Sequence, residues 1–441
     1  MSRLVLPQGL LAKVRSTLLS SNDEASAVLF GRAVEENGRL LRVVVREAMF
    51  PTPDDYEARS AISACLKPTF VAVVAQRAKQ SGESVVFVHS HPFPLNEFSA
   101  IDDGGERVLA DFLDMRTPGI THAAMLVTPE TTIARVLGAG ASLKVLGAGE
   151  TLIFGKGNEQ GTSSDRFERQ VRMFGKTGQS RLAGLRIGIV GLGGTGSVIA
   201  QQLAHLGIED YLLLDPDQVE FTNLNRLVGA REGDVGRPKV EVARDFVREI
   251  NPSARVATYQ ESVLLAGVAA RLLDVDFIFG CTDSQGSRAV LNQLSYQFLV
   301  PMIDMGVSII ASNGVVSHMA GRVNMLAPDL GCFVCGQLLN PEAVRVDLLM
   351  DFERAADPYL VGAREPAPAV ISLNSTVSSM AITMFLDVVL GIGAKARFIN
   401  YNAVTGMVRP ASISPHPQCY VCSARGALAQ ADAWPRPGRL K

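Results

Sequence analysis

Over the first third of the chain, apolar residues gather in strand-length runs: Ala27–Phe30, Leu40–Val45, Val85–Val88, Ala123–Val127 and Ile133–Val136. Helical spacing interrupts them over 66–80 and 103–115, which predicts an α+β domain across residues 1–154. Residues 155–164 are polar and rich in Gly and Ser, as a linker should be. Beyond them the pattern alternates. Strands are expected at Arg186–Val190, Asp210–Leu214, Arg255–Tyr259 and Phe277–Phe279, with helices at Gly196–Leu206 and Lys239–Ile250. That order predicts an α/β domain over 165–425 built on a doubly wound, mostly parallel sheet. Residues 426–441, rich in Ala, Pro and Arg, read as a loose tail. The two halves do not resemble each other, and no internal repeat is found.

A chain of 441 residues is too long for one core, which agrees with two domains. With 47% hydrophobic and 20% charged residues it is neither disordered nor collagen-like. A net charge of −2 without a long basic run argues against nucleic-acid binding. The start, Met-Ser-Arg-Leu-Val-Leu-Pro, lacks the apolar core of a secretion signal. Apolar stretches at 186–200 and 369–393 are broken by Gly, Ser, Thr or Asn, so no membrane span is expected. A cytoplasmic protein follows as the expectation. Six cysteines are present, four of them in two pairs, Cys332-Phe-Val-Cys335 and Cys419-Tyr-Val-Cys422. In a reducing compartment these read as a tetrahedral thiolate zinc site stapling distant segments, the bland alternative being two unrelated pairs. Cys65 and Cys281 read as core thiols.

His89 and His91 end an apolar strand two residues apart, so both side chains project from one face. Asp102 follows on the expected first turn of a helix. Two imidazoles and a carboxylate leave a fourth zinc position open to water, the catalytic arrangement. Ser99 precedes Asp102 by three residues and is placed to hydrogen-bond an oxyanion. Glu24, in Glu-Ala-Ser-Ala-Val-Leu-Phe-Gly31, starts an apolar strand and is the candidate general base. Together the Glu24 segment, His-Ser-His-Pro and Ser99-Ala-Ile-Asp102 resemble the JAMM (MPN-type) zinc isopeptidases. The resemblance implies His89, His91 and Asp102 as ligands of a catalytic Zn²⁺, Glu24 as acid/base and Ser99 as oxyanion support. It also implies a substrate, the C-terminal glycine of a ubiquitin-like protein.

In the second domain, Gly191, Gly193, Gly194 and Gly196 form Gly-Leu-Gly-Gly-Thr-Gly between an expected strand and helix, a Rossmann-like nucleotide loop. Asp215, nineteen residues on, can hold a ribose of NAD or ATP. No Walker lysine follows, so the phosphate grip has to come from elsewhere. Asn223 and Arg226, in Thr-Asn-Leu-Asn-Arg, and Lys239 can supply it, and Asp283 can coordinate Mg²⁺. Hydride transfer needs no such set, whereas attack on the α-phosphate of ATP does. These residues, with the cysteine pairs, resemble the ubiquitin-activating superfamily, especially the adenylyltransferases of molybdopterin and thiamine synthesis (the ThiF/MoeB type). The resemblance spans about 165–425. It implies Asp215 on the ribose, Asn223, Arg226 and Lys239 on phosphates, Asp283 on Mg²⁺ and Arg169 acting in trans within a homodimer. Arg288 and Asn292 match as pocket residues, and Pro366–Ala369 with Val370-Ile-Ser-Leu-Asn matches the segment that re-enters the core after a crossover loop.

One departure stands out: residues 336–418 contain no cysteine, where ubiquitin-activating enzymes usually carry their nucleophile. The leading expectation is a bifunctional enzyme. Its zinc site trims or deconjugates a ubiquitin-like tail, and its MgATP site adenylates that tail for a conjugating partner, with antiphage defence as the expected setting. The alternatives are an activator of a sulfur-carrier protein, a non-catalytic scaffold for ubiquitin-like tails and, weakest, an NAD oxidoreductase.

Overall fold

The computed structural model describes residues 1–138, 140–155, 165–350, 353 and 368–439. The expected linker beyond Gly155 and the start of the Pro366–Ala369 segment lie outside the described residues. Contacts divide the chain into two compact units. The first holds Met1–Asn158 with Gln297–Leu299 and Ala427–Pro435; the second holds Glu159–Tyr296, Val300–Gly426 and Arg436–Lys441.

The first unit runs β1 (Arg3–Pro7), α1 (Gln8–Leu18), β2 (Ser26–Glu36), β3 (Arg39–Met49), β4 (Tyr56–Ser60), β5 (Ser63–Leu66), α2 (Pro68–Ser81) and β6 (Ser84–Ser90). It continues with α3 (Ala100–Arg116), β7 (Ala123–Val127), β8 (Thr132–Val136), β9 (Ser142–Ala148) and β10 (Ile153–Phe154). The main sheet has the order β1-β3-β2-β6-β7-β8-β9-β10, and β1 also pairs in parallel with β9, so the sheet closes on itself. Strand alternation sorts its side chains between two cores. Ala27, Leu29, Val86 and Val88 pack inward with Leu11, Val14 and Leu18 of α1. Val28, Phe30, Val85 and Phe87 face the other way, against Val74 and Ala78 of α2 and Leu113 of α3. At Gly31 the β2–β3 register shifts, and a Cβ there would overlap the Val44 carbonyl. Hairpin β4–β5 forms a separate two-stranded sheet.

The second unit runs α4 (Glu168–Ala183), β11 (Arg186–Val190), α5 (Gly194–Leu206), β12 (Asp210–Leu214), α6 (Lys239–Ile250), β13 (Arg255–Tyr259), α7 (Ala266–Ala269) and β14 (Phe277–Gly280). Then follow α8 (Gln285–Gln297), β15 (Met302–Ser312), β16 (Val315–Leu326), α9 (Pro341–Leu348), α10 (Ile371–Leu390), β17 (Phe398–Asn402) and β18 (Met407–Pro410). The sheet order is β13-β12-β11-β14-β15-β16-β17-β18, parallel as far as β15 and antiparallel beyond it. The chain leaves β11 for β12 on one side and returns to β14 on the other. That reversal opens a crevice at the strand C-termini, where ligands of such sheets bind. Helix α10 is long and apolar enough to cross a bilayer, yet most of it is buried.

The expected loose tail is corrected: Ala427 and Ala431 are fully buried. Gln297 Nε2 also donates to the carbonyls of Ala431 and Trp434 at 2.7 and 2.8 Å. Small apolar residues need no long pattern to fill a packed surface.

Candidate functional site

In the first unit, β6 is held between β2 and β7, with His89 opposite Ser26 and beside Leu126. His91 lies one residue past the strand, where its N–H donates to Val127 O at 3.0 Å. Asp102 enters from the first turn of α3. There Ser99 N–H donates to Asp102 Oδ2 at 2.6 Å, and Asp102 N–H donates to Ser99 Oγ at 3.2 Å, a reciprocal helix cap. Ser99 is thus the N-cap, and this role leaves its hydroxyl proton unused.

The three groups converge. His89 Nε2 lies 3.1 Å from Asp102 Oδ1 and His91 Nε2 3.4 Å from Asp102 Oδ2. Four ligands about 2 Å from a tetrahedral zinc stand roughly 3.3 Å apart, so the spacing fits such an ion. His91 Nδ1 is 3.1 Å from Leu95 O, which places the ring proton there and leaves Nε2 as a lone-pair donor. His89 Nε2 is buried with no well-aligned hydrogen-bond partner, another mark of a ligand atom. Burial would raise the Asp102 pKa, but His89 and His91 outweigh it and hold the carboxyl well below the usual range. Burial pushes Glu24 up against the opposing pull of the two imidazoles. Glu24 Oε1 stands 3.7 Å from His91 Nε2, close enough to reach a water on the same ion.

Three supports escaped the sequence reading. Glu24 N–H donates to Ser60 O at 2.9 Å, Arg59 Nε donates to Glu24 O at 2.7 Å, and Tyr56 Oη accepts from Ser26 N–H at 2.9 Å. Hairpin β4–β5 therefore staples the backbone that carries Glu24. Phe98 meets His89 edge-on with ring centroids 5.9 Å apart, and the Arg135 guanidinium lies 4.0 Å over the Phe98 ring, paired with Glu106 and Asp103. Neither hairpin nor stack has a periodicity that would mark it.

In the second unit, Gly191 ends β11 at φ +88°, a left-handed conformation suited to glycine, and a Cβ on Gly196 would overlap its carbonyl. Gly193 is the N-cap of α5, and a Cβ there would meet nothing within 4 Å, so the helix N-terminus has room before it. Asp215 Oδ2 accepts from Leu192 N–H at 2.5 Å and Oδ1 from Asp217 N–H at 2.8 Å. Its burial raises its pKa, with Lys239 opposing, and Lys239 Nζ pairs with Asp217 at 2.7 Å. Arg226 runs past Gly194 and donates to Thr222 O at 2.8 Å. Asn223 is buried, and its Oδ1 accepts from Glu220 N–H at 3.2 Å.

The remaining candidates sit around this group. Asp283 is exposed on the loop joining β14 to α8, and Arg169 is exposed on α4. Arg288 Nε donates at 3.2 Å to Asp304, a fully buried carboxylate that Arg322 also holds at 2.9 Å. Asn292 Oδ1 accepts from Phe333 N–H at 2.9 Å, tying α8 to the first cysteine pair.

The four cysteines form one cluster, with Sγ separations of 3.8 Å (Cys332–Cys335), 3.6 Å (Cys332–Cys419) and 3.4 Å (Cys335–Cys422). Thiolates at 2.3 Å around a tetrahedral ion stand about 3.8 Å apart, so the cluster can hold one. The N–H groups of His416 and Val421 point at Cys335 and Cys419 sulfurs, and hydrogen bonding from Cys422 draws the Cys332 pKa down. Burial drives the Cys281 thiol far up, as expected of a core cysteine. Cys65 is corrected: it is exposed on β5.

A family model described as "ThiF family" matches residues 167–421, more than half of the chain. The chain belongs to the ThiF family. A second model, "Prokaryotic homologs of the JAB domain", matches residues 7–136, so the protein fuses a JAB domain to a ThiF domain. The ThiF domain is 30% identical over 262 residues to the molybdopterin-synthase adenylyltransferase of Escherichia coli K12, covering 58% of this chain and 95% of that protein. It is 29% identical over 269 residues to the SAMP-activating enzyme E1 of Haloferax volcanii, covering 60% and 91%. Among solved structures, E. coli MccB with MccA-N7isoASN matches at a TM-score of 0.48 and 19% identity, covering 59% of this chain and 76% of that one. The Escherichia coli relative is named as an adenylyltransferase and the Haloferax volcanii relative as an activating enzyme.

Proposed function

We propose that the protein acts at both ends of one chemistry on a ubiquitin-like protein. Its ThiF domain adenylates a C-terminal glycine with MgATP, and its JAB domain cleaves acyl bonds at the same kind of terminus. The observation that carries this reading is the His89–His91–Asp102 cluster with Glu24 at 3.7 Å, set in a chain whose other domain is of the ThiF family.

In the JAB domain, His89, His91 and Asp102 would hold a zinc ion, which supplies an acidified water and a Lewis acid when bound. Glu24, desolvated by burial, holds the proton taken from the attacking water and returns it to the leaving amine. Ser99 supplies a hydrogen bond to the developing oxyanion. In the ThiF domain Asp215 takes the ribose, Asn223, Arg226 and Lys239 take phosphate oxygens, and Asp283 would hold Mg²⁺. The glycine carboxylate then attacks the α-phosphorus, pyrophosphate leaves, and an acyl-adenylate forms. Arg169 reaches a partner copy's nucleotide in a homodimer. The cysteine cluster would hold a structural zinc.

A tail-dependent ATP–pyrophosphate exchange assay and a zinc-dependent cleavage assay test this together. Glu24→Gln is expected to abolish cleavage and spare exchange, and Asp283→Ala to do the reverse. Exchange that ignores any glycine-ended ubiquitin-like partner would refute the shared substrate. A second reading, activation of a sulfur carrier as an acyl-adenylate converted to a thiocarboxylate, is favoured by the lack of any cysteine over 336–418. Release of a thiocarboxylate rather than an isopeptide conjugate distinguishes it.

A further inference from the structure

One buried amide beside the nucleotide loop has no part in the reading above. Asn374, in the first turn of α10, is 3% exposed. Its backbone N–H donates to Val370 O, but among the described residues its carboxamide has no hydrogen-bond partner. Its nitrogen and oxygen are not among the sealed, unsatisfied polar atoms of the described residues, so they open onto accessible space with two donors and an acceptor to offer.

Its position says what would pair with it. A methyl built on Gly194, the first residue of α5, would overlap Asn374 Nδ2 and lie 3.4 Å from Arg226 Cδ. One turn further along α10, Ser378 Oγ donates to Thr195 O at 3.2 Å, which anchors the helix over the same loop. The first N–H groups of α5 lack helical partners, and the helix dipole adds positive character there. An amide donor, free backbone N–H groups and a guanidinium stem thus meet at one residue. That combination suits an anionic oxygen. The other candidate phosphate groups come from the α5 loop or from 223–239, whereas Asn374 approaches from a different element.

We propose that Asn374 is a nucleotide-binding residue of the ThiF domain, its Nδ2 donating to a phosphoryl oxygen of ATP at the α5 N-terminus. The proposal rests on reading this domain as an ATP site.

Isothermal titration of the full-length protein with MgATP and, separately, with adenosine tests it. Asn374→Ala is expected to weaken MgATP roughly tenfold or more, the loss of one hydrogen bond to a charged group. Asn374→Asp removes the donor and adds repulsion, so it should weaken MgATP further. Adenosine, with no phosphate, should bind all three forms alike. MgATP affinity within twofold of the parent in both variants would overturn the proposal. So would a parallel loss of adenosine binding, which would make Asn374 a packing residue. A parent protein that binds no MgATP would remove the ATP reading itself, a different failure from variants that match a binding parent.

Discussion

The cysteine cluster allows a stability prediction worked from chain length. Cys332 and Cys419, 3.6 Å apart in space, are 87 positions apart in sequence. A cross-link closing a loop of that length removes about 4.5 kcal/mol of denatured-state entropy on the chain-entropy model. The paired change Cys332→Ala and Cys335→Ala deletes one arm, so the surviving Cys419 and Cys422 bridge nothing across the loop. For a domain of this size each kcal/mol is worth about 2–4 °C, so the ThiF-domain transition should fall by roughly 10–15 °C. Calorimetry on the parent, the double variant and the parent treated with a chelator measures this, with zinc counted per chain. The chelated parent should approach the double variant. A midpoint within 3 °C of the parent, with metal loss verified, would show that the cluster is no cross-link and refute the argument.

Other expectations follow from single contacts. Asp304→Asn leaves the half-buried Arg288 and Arg322 guanidinium groups without their counter-charge. It should cost about 3 kcal/mol, read from urea midpoints, and a loss under 1 kcal/mol would mean that solvent already screens the pair. His122 is buried, accepts from Val85 N–H at 3.0 Å through Nδ1, and burial lowers its pKa to about 4. Its folded-state pKa lies below the unfolded value of about 6.5, so the unfolded chain binds the proton first. Stability is therefore intact above pH 6.5 and falls as pH drops toward 4, by up to about 3 kcal/mol. His122→Gln should flatten that slope, and an unchanged slope would assign it to other groups. Ser99→Ala should cost about 1 kcal/mol as a lost helix cap. Ser99→Asp restores the cap without a hydroxyl donor, so cleavage rescued by Asp would make Ser99 a cap alone.

Much of the fold was legible because short apolar runs are bounded by residues that stop them. Arg186–Val190 ends at Gly191 and Asp210–Leu214 ends before Pro216, and both strands have the expected limits. The metal-type clusters were legible because short spacing brings their members together, His89 near the end of β6 with His91 just past it and two cysteines within each tight turn. What stayed hidden depends on pairing across long separations. Nothing in its strand marks Arg322 until β16 lies beside β15, where it sits opposite Gly306 and reaches diagonally to Asp304. Tyr56 and Arg59 lie in a largely exposed strand with no apolar alternation. Asn374 is one of several polar residues in α10, and only the approach of that helix to α5 sets it apart. Cys65 was misplaced because cysteine is usually buried, a prior that an exposed hairpin overrides.

A single five-residue segment completes the hoop of the JAB domain. Arg3–Pro7 lies between β3 and β9, in parallel register with both. Trimming those residues would bare two strand borders at once, each a row of unsatisfied amides and carbonyls able to recruit a neighbouring molecule. Shortened versions of the protein should therefore clump rather than merely soften.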